Sequence, residues 1–541
     1  MEQQERDEFV KSSYILMIGY LLSSLISSIG TILVIRFISV EEYYLFNISY
    51  SVPAILIACG ELGLNYASTY FIAKRMAKNQ IKNAWNIIKI NLFIKLLLGL
   101  LLMFLIFVLA NNIAYDIFSL KDERLVLLIQ IASVGILSNV LFSAMNAIFL
   151  GAQKMKIVQV GTILQTSLRT IFSLFLIQIG FTLTGAMVGF VLAPLFVSFI
   201  YLFFLKKTFP ISKSEKLRTE WKEFSKMFKY GYPLLIYSII LSIQVPIFTY
   251  ILTVFGFLNE ISYLNTAIVS GAIIGIITKS ISFTLFPIFS KKNWDLEQDR
   301  EKLKKTYQFS IKFATLLVVP LAFFLTLFSK DVFPLIFGDA YVDAAPFISV
   351  YFLFYLFTAF GLLTIPAFLN GQNKTRQVLN IEILGLATAV STGILFIFLF
   401  GSIGFFIGMV IGDLGRVIYG NIIIKKHFDN KIFSNLKDVI LMLIIAVFIG
   451  ILVYISSILI SPLIISSIEL IISLKLIIDL SIIGFFFVIH FILFLILIGL
   501  FGLISEEDIN LLVSSFKNFP IMNKVIELIG NIEKKIIKLR N

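Results

Sequence analysis

Residues 84–110 read AWNIIKINLFIKLLLGLLLMFLIFVLA, and the only charges in them are Lys89 and Lys95. At about 1.5 Å per residue, a helix of that length reaches about 40 Å, enough to cross the roughly 30 Å hydrocarbon core of a bilayer. The apolar residues run on rather than alternate, which excludes the strand of an outer-membrane barrel. The rest of the chain has the same character. Of its 541 residues, 59% are hydrophobic and 14% charged, with a mean hydropathy of +0.97. A soluble domain is about 45–50% apolar and about 25% charged. A soluble globular enzyme is therefore excluded, and the sequence describes an all-α polytopic membrane protein.

Fourteen runs have the length and composition of transmembrane helices: 12–35, 44–72, 84–110, 124–150, 158–180, 184–205, 232–255, 261–285, 307–329, 345–369, 378–400, 404–424, 437–460 and 476–503. Two pairs are split only by short turns, around Gly180–Thr184 and Gly401–Gly404, where Gly, Ser and Thr suit a tight reversal. The first run is too long for the apolar region of a cleaved signal peptide, so it is expected to be a retained anchor. Basic residues gather in alternate loops, including Lys74, Arg75, Lys78 and Lys82, the 206–229 loop and Lys291–Lys305. The opposite loops hold only Arg36, Lys121, Arg124, Lys330 and Lys475. By the positive-inside rule both termini are cytoplasmic and the protein sits in the cell membrane. The net charge of +13 then reflects basic loops beside an anionic inner leaflet rather than nucleic-acid binding.

A shift of 219 residues aligns Phe149-Leu150-Gly151-Ala152-Gln153 with Phe368-Leu369-Asn370-Gly371-Gln372, Gly185 with Gly404, and Gly189 with Gly408. A six-helix offset is even, so the halves share one orientation and are related by an axis along the membrane normal. The expected organisation is an N-lobe of six helices (1–205), a basic linker (206–230), a C-lobe of six helices (231–424) and two extra helices (425–503). The tail 504–541 reads as an amphipathic basic segment lying on membrane lipids.

Several stretches resemble the polysaccharide-type branch of the multidrug/oligosaccharidyl-lipid/polysaccharide exporter superfamily, the lipid-linked oligosaccharide flippases. They are Arg36-Phe37-Ile38-Ser39-Val40-Glu41-Glu42-Tyr43, Gly60-Glu61-Leu62-Gly63-Leu64, Phe149-Leu150-Gly151-Ala152-Gln153-Lys154, Tyr230-Gly231-Tyr232-Pro233 and Phe337-Gly338-Asp339-Ala340-Tyr341. Ser39 and Tyr44 stand where that family usually has glycines. The resemblance implies two six-helix lobes, a central cavity open to one side at a time, and a polyprenyl-phosphate-linked glycan as cargo. Such a cargo has an anionic head that needs a wet, basic path, and a tail that can stay in the lipid.

Ionisable residues inside spans are costly, and so are functional candidates. Arg169, Lys95, Arg416 and Lys279 are the candidate phosphate-binding residues; with Lys89 and Lys312 they form a basic inner vestibule from the midplane to the cytoplasmic half. Glu61, Asp413 and Glu382 are the candidate carboxylates for coupling to Na⁺ or H⁺. Other roles are open for some of them. Lys279 and Glu382 lie near enough to a boundary to snorkel. Asp413 and Arg416, three apart on one helix face, either neutralise each other or bind ligand. Glu61 either pairs with Lys95 or couples an ion. Arg169 has no acid at helical spacing.

One cysteine (Cys59) and two distant histidines (His427, His490) offer no metal cluster or disulfide. No G-x-x-x-x-G-K-[ST] motif is present, so no nucleotide or other cofactor is expected. An ion-coupled drug/cation antiporter of the same superfamily is the alternative function, although those usually have twelve helices. A membrane-embedded glycan polymerase or ligase would need a larger outer loop than any here, so no enzyme is expected.

Overall fold

The computed structural model describes residues 3–78, 80–209, 221–290, 294, 296–428, 436–468, 475–504 and the isolated positions 509, 527, 530 and 531. Regular structure among the described residues is helical throughout. The first compact unit, Met1–Asn265, contains α1 (Gln3–Phe37), α2 (Val40–Glu61), α3 (Leu64–Met76), α4 (Ile81–Asn112), α5 (Glu123–Gly151), α6 (Met155–Leu176), α7 (Thr182–Thr208), α8 (Trp221–Val254) and the start of α9 (Leu258–Ser290). The second, Thr266–Asn541, contains the rest of α9, then α10 (Glu297–Leu327), α11 (Ser329–Phe337), α12 (Ala345–Phe352), α13 (Thr364–Gly371), α14 (Thr375–Phe400), α15 (Ser402–His427), α16 (Leu436–Ile468) and α17 (Lys475–Leu500). The division falls beyond the 206–230 linker, because α8 packs on α2 and α3.

Among the described residues, eleven stretches are long and apolar enough to cross a membrane, and Ser238–Val254 is a shorter apolar helix. One stretch, Met155–Thr208, is the α6–α7 hairpin, reversed at Gly180 with φ +100°. The α14–α15 hairpin reverses at Gly401 with φ +67°. Both turns use the left-handed region that glycine adopts without penalty.

Two runs that read as single helices are broken. Run 44–72 divides at Leu62 and Gly63, with φ of +47° and +66°, because α3 must let Gly63 meet the backbone of Gly231 on α8; a Cβ on either glycine would collide with the other residue. Run 345–369 contains a 3₁₀ segment at Leu353–Phe360 and a left-handed Gly361 (φ +96°) before α13. Pro366 lies in the first turn of α13, where its missing N–H leaves no bond unmade. At the α1–α2 turn Ser39 caps α2: its hydroxyl accepts from Glu42 N at 3.1 Å and Glu42 returns a bond to Ser39 N. That reciprocal cap fixes the turn without glycine. Arg124, at the start of α5, braces it by reaching Glu41 at 2.6 Å and Asp122 at 2.8 Å.

The repeat has a physical basis in helix crossings. Gly185 and Gly189 of α7 abut Leu176 and Ser173 of α6, while Gly404 and Gly408 of α15 abut Phe396 and Gly393 of α14. The missing side chains let paired helices approach backbone to backbone. The turn after α5 has Gln153 at φ +58° and Lys154 N bonded to Phe149 O; its counterpart has Asn373 at φ +58° and Lys374 N bonded to Leu369 O. The structural offset there is 220, so Gln153 matches Asn373 rather than Gln372. The second hairpin is one residue tighter. In the second unit α17 is tied to α10 by buried His490, whose Nε2 donates to Pro320 O at 3.1 Å.

Candidate functional site

Six polar residues of α6 (Gln159, Thr162, Thr166, Arg169, Thr170 and Ser173) recur at spacings of three and four and so form one stripe. That stripe lies against α1, where Gly19 faces Gln159 and Gly30 faces Thr170. The close approach lets Arg169 Nη2 donate to Ser27 Oγ at 2.9 Å and Thr31 Oγ1 at 3.2 Å. The ring of Phe190 on α7 covers the guanidinium at 4.6 Å from its centroid. Phe190 is held edge-on by Phe46 and Tyr50 of α2 at 5.5 and 4.8 Å.

These four helices enclose a cavity of about 160 Å³, lined by Arg169 with Thr31, Tyr43, Asn47, Tyr50 and Ser173 among others. A guanidinium carries five N–H groups. Two are engaged by the hydroxyls of α1, and Nε and Nη1 make no hydrogen bond to the described residues. No carboxylate among the described residues lies in ion-pair reach of Arg169. The chain has no acid at all between Glu123 and Glu215. The site is thus a desolvated cation with open donors beside aromatic faces, suited to an oxyanion.

Arg169 lies fourteen residues along α6 from Met155, about 21 Å at helical rise. Its partners on α1 and the aromatic residues of α2 lie near the Phe37–Val40 turn. The cavity therefore lies toward the end of the first unit away from Lys154, Lys156, Lys206 and Lys207.

The other candidates are elsewhere. Lys95 on α4 is fully buried and donates to Asn65 Oδ1 on α3. It makes no ion pair with Glu61, which ends α2 at the helix break. Neither lines the Arg169 cavity. In the second unit Arg416 joins Asp413, one turn before it, and its Nε contacts Glu382 of α14 at 3.1 Å. Among the described residues, Glu382 thus belongs to a half-buried triad of two carboxylates and one guanidinium. The side chain of Lys279 lies outside the described residues, as do that of His427 and nearly all of the tail 504–541. Sequence reasoning missed the aromatic wall of α2 and α7. The signals were the stripe on α6 and its mate on α1, the run Ser23-Ser24-Leu25-Ile26-Ser27-Ser28-Ile29-Gly30-Thr31.

The family model of polysaccharide biosynthesis proteins matches residues 9–292, which hold this cavity. The chain belongs to that family. As a member of the polysaccharide biosynthesis protein family it has distant curated relatives. It is 21% identical over 494 residues to the lipid II flippase MurJ of Bacillus subtilis (strain 168), covering 82% of this chain and 88% of that one. It is 24% identical over 451 residues to the uncharacterized membrane protein MJ1068 of Methanocaldococcus jannaschii, covering 80% and 86%. Among solved structures it resembles lipid II flippase MurJ in an inward closed conformation, with TM-score 0.61, 17% identity, and 83% and 100% of the chains covered. It also resembles an inward-facing multidrug resistance transporter of the MATE family and MOP superfamily, with TM-score 0.58, 19% identity, and 76% and 95% covered. The fold is that of these multi-pass membrane transporters.

Proposed function

We propose that this polysaccharide biosynthesis protein is a flippase that carries a polyprenyl-(di)phosphate-linked oligosaccharide or polysaccharide repeat unit from the cytoplasmic to the outer face by alternating access. The observation that carries the reading is the Arg169 cavity of the family-matched unit, with three N–H groups open to an oxyanion and no acid among the described residues to oppose one. Helix count assigns the two lobes to 1–205 and 231–424 with 206–230 between them, although α8 packs within the first compact unit, and 425–503 adds two helices. The Asp413–Arg416–Glu382 triad is the candidate coupling site for Na⁺ or H⁺, because its surplus carboxylate can exchange a proton or cation. No chemical step is assigned to the chain.

The test is translocation of a fluorescent lipid-linked oligosaccharide in proteoliposomes. A protein-dependent change in the fraction of label accessible to an external quencher is expected, and no movement above empty vesicles would refute the function. We place both termini in the cytoplasm of a cell-membrane protein, on the basis of the basic loops. Single cysteines at Lys78 and Asp339, in a Cys59→Ala background, should label from inside and outside respectively; labelling from one side would overturn that orientation.

A further inference from the structure

The outer surface of the α6–α7 hairpin holds a second cavity of about 160 Å³, separate from the Arg169 site. Its lining is apolar, contributed by Val160, Leu164, Tyr201 and Phe204 among others, with Lys156 at one end. Gly161, having no side chain, lets the Tyr201 phenol pack against α6 in the wall of the groove, where a Cβ would collide with its hydroxyl. The Tyr201 hydroxyl is already committed to Asn146 Oδ1 at 2.7 Å, so the interior offers no open polar group to a sugar. Val160 is 64% and neighbouring Phe203 73% exposed, so the groove opens on the surface that faces hydrocarbon. It runs from Lys156 to Leu164, about 12 Å at helical rise.

The charge at its end is one-sided. Lys154 and Lys156 begin α6, and Lys206 and Lys207 end α7 just past Phe204. All four are exposed and none forms an ion pair among the described residues. They lie within the stretch that has no acid from Arg124 to Ser214. A hydrocarbon slot closed at its polar end by lysines that meet no acid among the described residues complements one chemical class, an amphiphile with an anionic head. We propose that this groove is a resident binding site for an anionic glycerophospholipid. Its phosphate pairs with Lys156, and one acyl chain lies along Val160 and Leu164 against the Tyr201 ring. The occupant is a membrane phospholipid rather than the transported cargo, because the slot gives a glycan head no polar path.

The experiment measures lipid binding to the purified full chain by native mass spectrometry and by the melting temperature in detergent. The probes are dioleoylphosphatidylglycerol and dioleoylphosphatidylcholine, which share acyl chains and differ in charge. Phosphatidylglycerol should be retained and should raise the melting temperature more than phosphatidylcholine does. Lys156→Gln should weaken phosphatidylglycerol binding about fivefold, the order of one lysine near an anionic lipid. Lys78→Gln, a basic residue of the α3–α4 turn, should leave binding unchanged. Val160→Trp, a change at an exposed position, should fill the slot and abolish retention of both lipids. Equal binding of the two lipids by the unaltered chain, or equal losses in Lys156→Gln and Lys78→Gln, would overturn the site. Displacement of phosphatidylglycerol by one equivalent of polyprenyl phosphate would assign the groove to the cargo tail instead and refute a resident phospholipid. None of these readouts depends on transport, so they are independent of the proposed flippase activity.

Discussion

Removing the Arg169 guanidinium should slow translocation by one to two orders of magnitude. Its Nη2 is occupied by Ser27 at 2.9 Å and Thr31 at 3.2 Å, and Phe190 shields one face at 4.6 Å. The three remaining N–H groups can present two parallel donors to a phosphate. Hydrogen bonds to charged groups contribute about 1.5–3 kcal/mol. At about 1.36 kcal/mol per tenfold in rate, that converts to a loss of about ten- to a hundredfold in Arg169→Ala. Arg169→Lys keeps the charge but not the planar fork, and should lose less. No acid among the described residues pairs with Arg169, so the alanine strands no countercharge and the variant should fold. The assay is the initial rate in proteoliposomes at matched incorporation, with the melting temperature as a check on folding. A folded Arg169→Ala protein that translocates at the unaltered rate would refute the phosphate-binding role.

In the second unit, Arg416→Ala leaves Asp413 and Glu382 unpaired in a half-buried setting. It should destabilise by about 3–5 kcal/mol in a denaturation assay, as loss of one buried partner generally does. Asp413→Asn keeps the Arg416–Glu382 contact, so it should retain the fold while removing the dependence of transport on an ion gradient; an unchanged dependence would take Asp413 out of coupling. Gly408→Val would drive a side chain into the Gly393 backbone and should cost about 1–3 kcal/mol or more, whereas Gly484→Ala, with open space around it, should melt with the unaltered protein. Equal melting of Gly408→Val and the unaltered chain would contradict the tight α14–α15 crossing. At the α5 start, hydrogen bonds from Arg124 hold the Asp122 carboxyl below the usual carboxylate range, with burial opposing them. A depressed folded-state pKa contributes stability above the unfolded value of about 3.9, and that contribution is lost as pH falls below it. The melting-temperature gap between the unaltered protein and Asp122→Asn should therefore be present at pH 7 and narrow as pH falls below about 3.9.

The sequence by itself determined that the chain is helical, membrane-spanning and internally repeated. Hydropathy is a local quantity summed over about twenty residues, so runs such as 84–110 and 437–460 declare themselves without reference to their neighbours. The reversals at Gly180 and Gly401 were equally legible, because a turn that short needs backbone freedom at a particular residue. Only the tertiary structure decided what depends on two helices meeting. The break at Leu62–Gly63 follows from the approach of Gly231, which is distant in sequence. The depth of the Arg169 site follows from where α1 crosses α6. Glu382 joined Asp413 and Arg416 because the α14–α15 hairpin brings their faces together, and Lys95 took Asn65 of α3, beyond the break that ends α2 at Glu61. A one-dimensional pattern says which residues are expensive to bury. Which partner meets that expense is set by the faces that close packing brings into contact.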